Sequence, residues 1–172
     1  MQPVALPAAL PVAVLQACEA FAGRELRIKW PNDVFAGDRK LSGVLIDRDS
    51  RRPNTYRIGI GINVNRTQFD GELADIATSL ATLTGHSHDR TAVLIELATH
   101  VDAMLSALQQ EQLRDYERLF AQRLGLLDQI VDVTAGETVR GKLTAIDFER
   151  LTLNGTRHVP LAITTAMKIV RE

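Results

Sequence analysis

The densest group of residues able to do chemistry is the run KWPND, Lys29 to Asp33, followed by DRKLSG, Asp38 to Gly43. Two lysines and an aspartate beside glycine suit a charged ligand. A lysine sets a point charge against phosphate or carboxylate oxygens, and a glycine lets a ligand come close to the backbone. Solvated strand ends have the same composition, so both readings stand on the residues alone. A second candidate is GIGIN, Gly59 to Asn63. Its glycines interrupt a strand that otherwise favours large side chains, a pattern that marks a bulge or a ligand lying against the backbone. The spacing is not a dinucleotide fingerprint, and no helix follows. The Asn63 amide offers a donor and an acceptor that match adenine N6 and N7, or it ends the strand in an Asx turn. His86 and His88 sit in a Gly/Ser loop whose neighbours complete no metal site and read as solvated, while His100 and His158 have no partner that the sequence names.

These residues need elements to hold them. Val12, Leu15, Cys18 and Ala22 recur at helical spacing over Pro11 to Phe21, with Gly23 as the stop. Three β-rich runs follow: Leu26 to Trp30, Lys40 to Asp47 and Tyr56 to Val64. The breaks between them, Pro31-Asn32-Asp33, Gly37-Asp38 and Arg52-Pro53-Asn54, are turn formers. A helical region covers Thr78 to Leu83, Arg90 to Gln110 and Leu113 to Leu124. Along the long helix Val93, Leu94, Leu97, Val101, Met104, Leu105 and Leu108 form a stripe that predicts a core face. Past Gly125 the period becomes alternating, and Asn154-Gly155 is the strongest hairpin signal in the chain. The organisation predicted is a domain over 1–125 and a small all-β unit over 126–172.

Composition narrows the function classes. The 172 residues carry 20 basic and 21 acidic side chains for a net charge of -1, mixed along the chain, which predicts no nucleic-acid partner and no anionic membrane surface. The single Cys18 forms no intrachain disulfide and fits a reducing, cytoplasmic setting, as a small buried helix residue. The apolar start has no basic n-region and carries Pro3, Pro7 and Pro11, so it reads as a core-facing helix rather than a signal peptide. No other run approaches the roughly 18 apolar residues of a membrane span.

KWPND, then RKLSGVLID, then IGIGINVN, in that order and at those intervals, closely resembles the catalytic domain of biotin protein ligases. The resemblance continues through ATSL at Ala77 to Leu80, the long helix beginning near Asp89-Arg90-Thr91, and the C-terminal β unit. It implies an α+β fold: a mixed sheet with helices of the class II synthetase-like biotin/lipoate ligase type, present in part, followed by a small SH3-like β-barrel. It implies ATP-dependent attachment of biotin, through biotinyl-AMP, to a lysine of a biotin carboxyl carrier protein. Lipoate ligases share the fold, and KWPND with RKLSG favours biotin. Carried onto this chain, the resemblance makes Lys40 and Asp33 catalytic, with Lys40 on biotin and the activated carbonyl. Gly43 admits biotin to the strand, Lys29, Asn32 and Asn63 serve ATP, and Asp33 holds Mg2+.

Two features depart from the family pattern. The family's GRGRxGR loop and the strand bearing its Ser/Thr contacts to biotin are absent from these 172 residues. That predicts an incomplete biotin pocket, a possible separate N-terminal half, and an uncovered edge at Leu41, Leu45, Ile58 and Ile60 that drives self-association. An alternative function follows: a catalytically incompetent fragment or subunit that binds nucleotide or carrier protein, or dimerises. In the C-terminal unit the family's Gly-Ile-Asp and Ser-Gly-Glu-Val segments are replaced by Ala145-Ile146-Asp147 and Leu161 to Thr165, which removes the pattern under which Arg171 would contact phosphate. With no helix-turn-helix, the repressor activity of some family members is not implied.

Overall fold

The computed structural model describes residues 5–48, 51–52 and 55–170. Helix α1, Leu6–Ala22, accepts a proline at its first positions, where no intrahelical N–H is needed, and stops at Gly23, whose φ of 63° suits a residue without Cβ. It is apolar around nearly its whole circumference, and Leu10, Val12, Val14 and Leu15 are all fully buried. A helix of this kind is a central pillar rather than an amphipathic cover.

Strands β1 (Arg27–Lys29), β2 (Asp33–Ala36), β3 (Arg39–Arg48) and β4 (Tyr56–Ile62) form a four-stranded sheet in that order, antiparallel throughout. The α+β class agrees with the sequence reading. The sheet's ladders are antiparallel rather than mixed, and the parallel contact present is a single bridge between Lys40 and Ala77. Strand β2 lies in the break between the first two β-rich runs and begins at Asp33, which was read as part of a turn: Val34, Phe35 and Ala36 are all buried, so no alternation announces them. The turn expected over Arg52-Pro53-Asn54 lies partly outside the described residues, as does Arg171.

Two short helices, α2 (Leu73–Ile76) and α3 (Leu80–Thr84), precede the long α4 (Arg90–Gln109) and α5 (Arg114–Leu124). Asp89 caps α4 by accepting from Thr91 N at 2.8 Å. Val93, Met104 and Leu108 bury its core face, whereas Leu94, read as part of that face, is 63% exposed. The apolar arc of α4 is wider than the strip its neighbours cover. By length and composition α4 is also long and apolar enough to cross a bilayer, which the sequence reading had not allowed for, yet it packs on α1 along that buried face.

Beyond Gly125, strands β5 (Ile130–Ala135), β6 (Glu137–Ile146), β7 (Arg150–Leu153), β8 (Arg157–Pro160) and β9 (Ala166–Ile169) make a five-stranded sheet ordered β8-β7-β6-β5-β9, with a 3-10 turn at Leu161–Ile163. Asn154 and Gly155, at φ 52° and 76°, turn the chain between β7 and β8 as predicted. The buried residues of both sheets form one continuous cluster running from α1 to Leu161. At the end of α5, Arg123 joins that helix to Glu19 of α1 at 3.0 Å, and Glu19 in turn accepts from Leu26 N at 2.7 Å.

Candidate functional site

The site begins with a register slip. Val34 pairs with Ser42 and Phe35 with Lys40, so Leu41 is an extra residue on β3. Such a bulge re-aims the side chains beside it. Asp33, Gly43 and Gly61 lie directly opposite one another across β2, β3 and β4. Lys40 folds back over this row. Its Nζ lies 2.6 Å from Asp33 Oδ1, and a Cβ built on Gly43 would meet Lys40 Cε and Nζ at 3.0 Å and Asp33 Oδ1 at 3.1 Å. In this structure, the missing side chain of Gly43 makes room for the ion pair.

Around the pair is a cavity of about 690 Å³, with Asn32, Asp33, Lys40, Gly43, Gly61 and Asn63 among its lining residues. The β3–β4 register is unbroken along it, so the glycines of GIGIN mark no bulge. A Cβ built on Gly59 would meet only Leu45 Cβ, at 3.9 Å, and one built on Gly61 only Gly43 O, at 4.0 Å, so the two glycines leave a strip of bare backbone on the cavity side.

Each polar member is anchored. Asn32 is locked to Val44: its carbonyl accepts from Val44 N at 3.0 Å, and its side-chain amide donates to Val44 O. Asn63 Nδ2 donates to the Thr78 carbonyl at 3.0 Å, and the Asn63 carbonyl accepts from Leu80 N at 3.0 Å. Part of that amide therefore holds the chain entering α3, and its oxygen is left for another partner. Thr78 N donates to Lys40 O at 2.9 Å and fixes the backbone from which Lys40 springs. Ser79 caps α3 through Thr82 N at 3.0 Å.

Lys29 stands apart from this group. Its Nζ sits over the Phe35 ring, 4.8 Å from the centroid, and the side chain lines a separate cavity beside β9. Conversely, sequence reasoning passed over Arg66, Phe69, Leu73 and Ile76, which complete the cavity wall. Arg66 lies 5.1 Å from the Phe69 ring centroid and 3.4 Å from Asp70. No periodicity marks that loop, and the adjoining ATSL block was its nearest signal. Of the hydrophobics read as uncovered, Leu45 is 72% and Ile58 39% exposed, but Leu41 is fully buried.

The histidine contacts are local ones. His88 Nε2 meets Thr84 Oγ1 at 2.8 Å, and Asn65 clamps the His88 backbone by accepting from its N–H at 2.9 Å and donating to its carbonyl at 2.8 Å. Among the described residues no cluster of metal-ligating side chains occurs. Among the described residues that line the cavity, Asp33 offers the one carboxylate. That suits an octahedral ion held mainly by phosphate and water, and it is too little for an all-protein cage.

Residues 2–65 match the model of the biotin/lipoate A/B protein ligase family. The bifunctional ligase/repressor BirA of Bacillus spizizenii is 45% identical over 87 residues, covering 48% of this chain and 27% of that protein. The biotin--[acetyl-CoA-carboxylase] ligase of Mycobacterium tuberculosis is 36% identical over 81 residues, 47% of this chain and 29% of that one. The chain thus aligns with little more than a quarter of either relative's length. Among solved structures, the Aquifex aeolicus biotin protein ligase in complex with biotin and ATP superposes with a TM-score of 0.83 over 98% of this chain and 72% of that one, at 24% identity.

Proposed function

We propose that this chain, whose residues 2–65 match the model of the biotin/lipoate A/B protein ligase family and whose fold is similar to that of a solved biotin protein ligase, supplies the adenylate-forming face of a biotin protein ligase. The observation that carries the reading is the Lys40–Asp33 pair at 2.6 Å above the bare backbone of Gly43 and Gly61. An acid-activating enzyme needs a cation near the reacting carboxylate and an open floor on which a flat substrate can lie.

In the first half-reaction a biotin carboxylate oxygen attacks the α-phosphorus of ATP, a P–O bond to pyrophosphate breaks, and biotinyl-AMP forms. Lys40 releases Asp33 and turns to the oxygens where negative charge grows, because a positioned cation stabilises that charge best where water is excluded. Asp33, with its carboxylate then free, is the residue that would hold Mg2+, which when bound offsets phosphate charge. Asn32, fixed by Val44, and the free amide oxygen of Asn63 orient the nucleotide. In the second half-reaction the neutral amine of a carrier-protein lysine attacks the acyl carbonyl and AMP leaves, while Lys40 polarises the carbonyl and Asp33 orients the amine. Lys29 contributes long-range positive charge from its own side of the sheet. The carrier of this reading is a biotin carboxyl carrier protein.

A binding role without catalysis is the second reading, supported by the exposed Leu45 and Ile58 beside edge strand β4. Such a face suits a docked carrier or a second copy of the chain. Biotin-dependent exchange of pyrophosphate into ATP separates the two. Exchange that requires biotin and is lost in Lys40→Ala supports the ligase. Saturable MgATP or carrier binding without exchange supports the binding module.

A further inference from the structure

Trp30 stands between the two sheets and immediately before Pro31-Asn32-Asp33. Its Nε1–H donates to the Thr164 carbonyl at 3.1 Å, a contact between residues 134 positions apart. Its ring meets Phe120 edge-on at 6.3 Å, and Phe120 meets Phe148 of the C-terminal region at 5.6 Å. Both phenylalanines are essentially fully buried, so the Trp30 ring rests on a fixed support.

The acceptor is fixed as well. Thr164 N donates to Leu161 O at 3.0 Å, its hydroxyl donates to Pro160 O at 3.0 Å, and the next residue, Thr165, donates to Thr134 O on β5 at 2.8 Å. A chain of hydrogen bonds therefore runs from β5 to the Trp30 indole. On the far side of Trp30, Asn32 is locked to Val44 and Asp33 is paired with Lys40. A partly buried indole N–H held this way resists displacement, because leaving either group unpaired costs more than the bond itself contributes.

We propose that Trp30 is a positioning residue through which the C-terminal sheet sets the placement of Asn32 and Asp33, and with it the affinity of the glycine-lined cavity for nucleotide. The identity of the nucleotide rests on the function proposed above. The mechanical coupling does not.

Two variants test it. Trp30→Phe keeps an aromatic ring and removes the N–H. Thr164→Val keeps the side-chain shape and removes the hydroxyl that holds the carbonyl in place. Amide hydrogen exchange followed by NMR reads the coupling directly, with Val44 N–H, bonded to Asn32, as the reporter and the N–H of Leu143 on β6, bonded to Gln129, as the control. Each variant should raise exchange at Val44 by about five- to tenfold, the factor expected from one lost hydrogen bond, with Leu143 unchanged. The double variant should show no more than the larger single effect, because both changes break one linkage. In biotin-dependent exchange assays, KM for MgATP should rise by a similar factor, with kcat within about twofold. Equal acceleration at Val44 and Leu143, or none at Val44, would overturn the proposal. If the unaltered chain neither binds MgATP nor forms adenylate, the functional reading fails alone, and the Val44 measurement still decides the coupling.

Discussion

Lys40 Nζ lies 2.6 Å from Asp33 Oδ1, and the two groups meet in the space that a side chain on Gly43 would occupy. With 44% and 22% of the two side chains exposed, such a pair contributes little to stability. Its significance is geometric: the Leu41 bulge and the Thr78–Lys40 bond hold the lysine backbone, while the flexible stem can swing from carboxylate to ligand.

Lys40→Ala should therefore separate activity from stability. In a ligase completed with a polypeptide that carries the GRGRxGR loop, biotin-dependent pyrophosphate exchange is expected to fall by about two orders of magnitude, as loss of one oriented charge typically causes. The Tm, followed by circular dichroism, should stay within about 2 °C of the unaltered chain. Parallel loss of both would make Lys40 a structural residue.

Gly43→Ala should disturb the same pair from below. The new methyl would sit 3.0 Å from the end of Lys40, and because a flexible chain end can move, the fold should survive. A crystal structure of the variant is expected to show Nζ and Oδ1 no longer in contact. Exchange activity should drop at least tenfold, since a small misplacement at a reacting centre is costly. An intact pair in the variant would show that the glycine has another purpose.

Arg123 is only 13% exposed and binds Glu19 and the Leu26 carbonyl, so Arg123→Ala strands a partly buried carboxylate. Urea denaturation should register a loss of about 3 kcal/mol, the lower end of the range for breaking a buried pair. The double change Glu19→Gln with Arg123→Met should recover part of that loss, because no uncompensated charge remains. A double variant as unstable as the single one would refute this account.

Burial, and to a lesser degree Glu19, pushes the Cys18 thiol up to about 12 from an ordinary 9.0. The folded chain therefore holds this proton more tightly than the unfolded chain does. The stabilisation is complete below about pH 9 and is lost as pH rises from there toward about 12, with a slope of up to about 1.4 kcal/mol per pH unit. Cys18→Ala should flatten that alkaline slope in denaturation curves. At pH 8, native Cys18 should resist alkylation by iodoacetamide until the chain unfolds. Rapid labelling of folded protein would contradict its burial.

Much of the local architecture was legible. The unbroken apolar run closed by Gly23 specifies α1, the β-branched runs specify β3 and β4, and Asn154-Gly155 specifies a turn because both residues tolerate positive φ. The order KWPND, RKLSG, GIGIN also marked where the polar site lies, since those residues are adjacent along the strands that hold them.

Four features depended on tertiary structure. Strand β2 is buried on both sides, so its Val34-Phe35-Ala36 shows no period to read. The Leu41 bulge arises from pairing between strands, and it brings Lys40 to Asp33 while Lys29, in the same motif, stays with Phe35 on another surface. Leu94 fits the helical stripe but is exposed, because the width of the face α4 buries is set by its neighbours. The Trp30–Thr164 bond spans 134 positions, and no local pattern encodes it. Hydrophobic period and turn chemistry record what each segment prefers within its own few residues. Which side chains then meet depends on how two sheets and a buried helix pack together, and that is decided only when the whole chain has closed around its core.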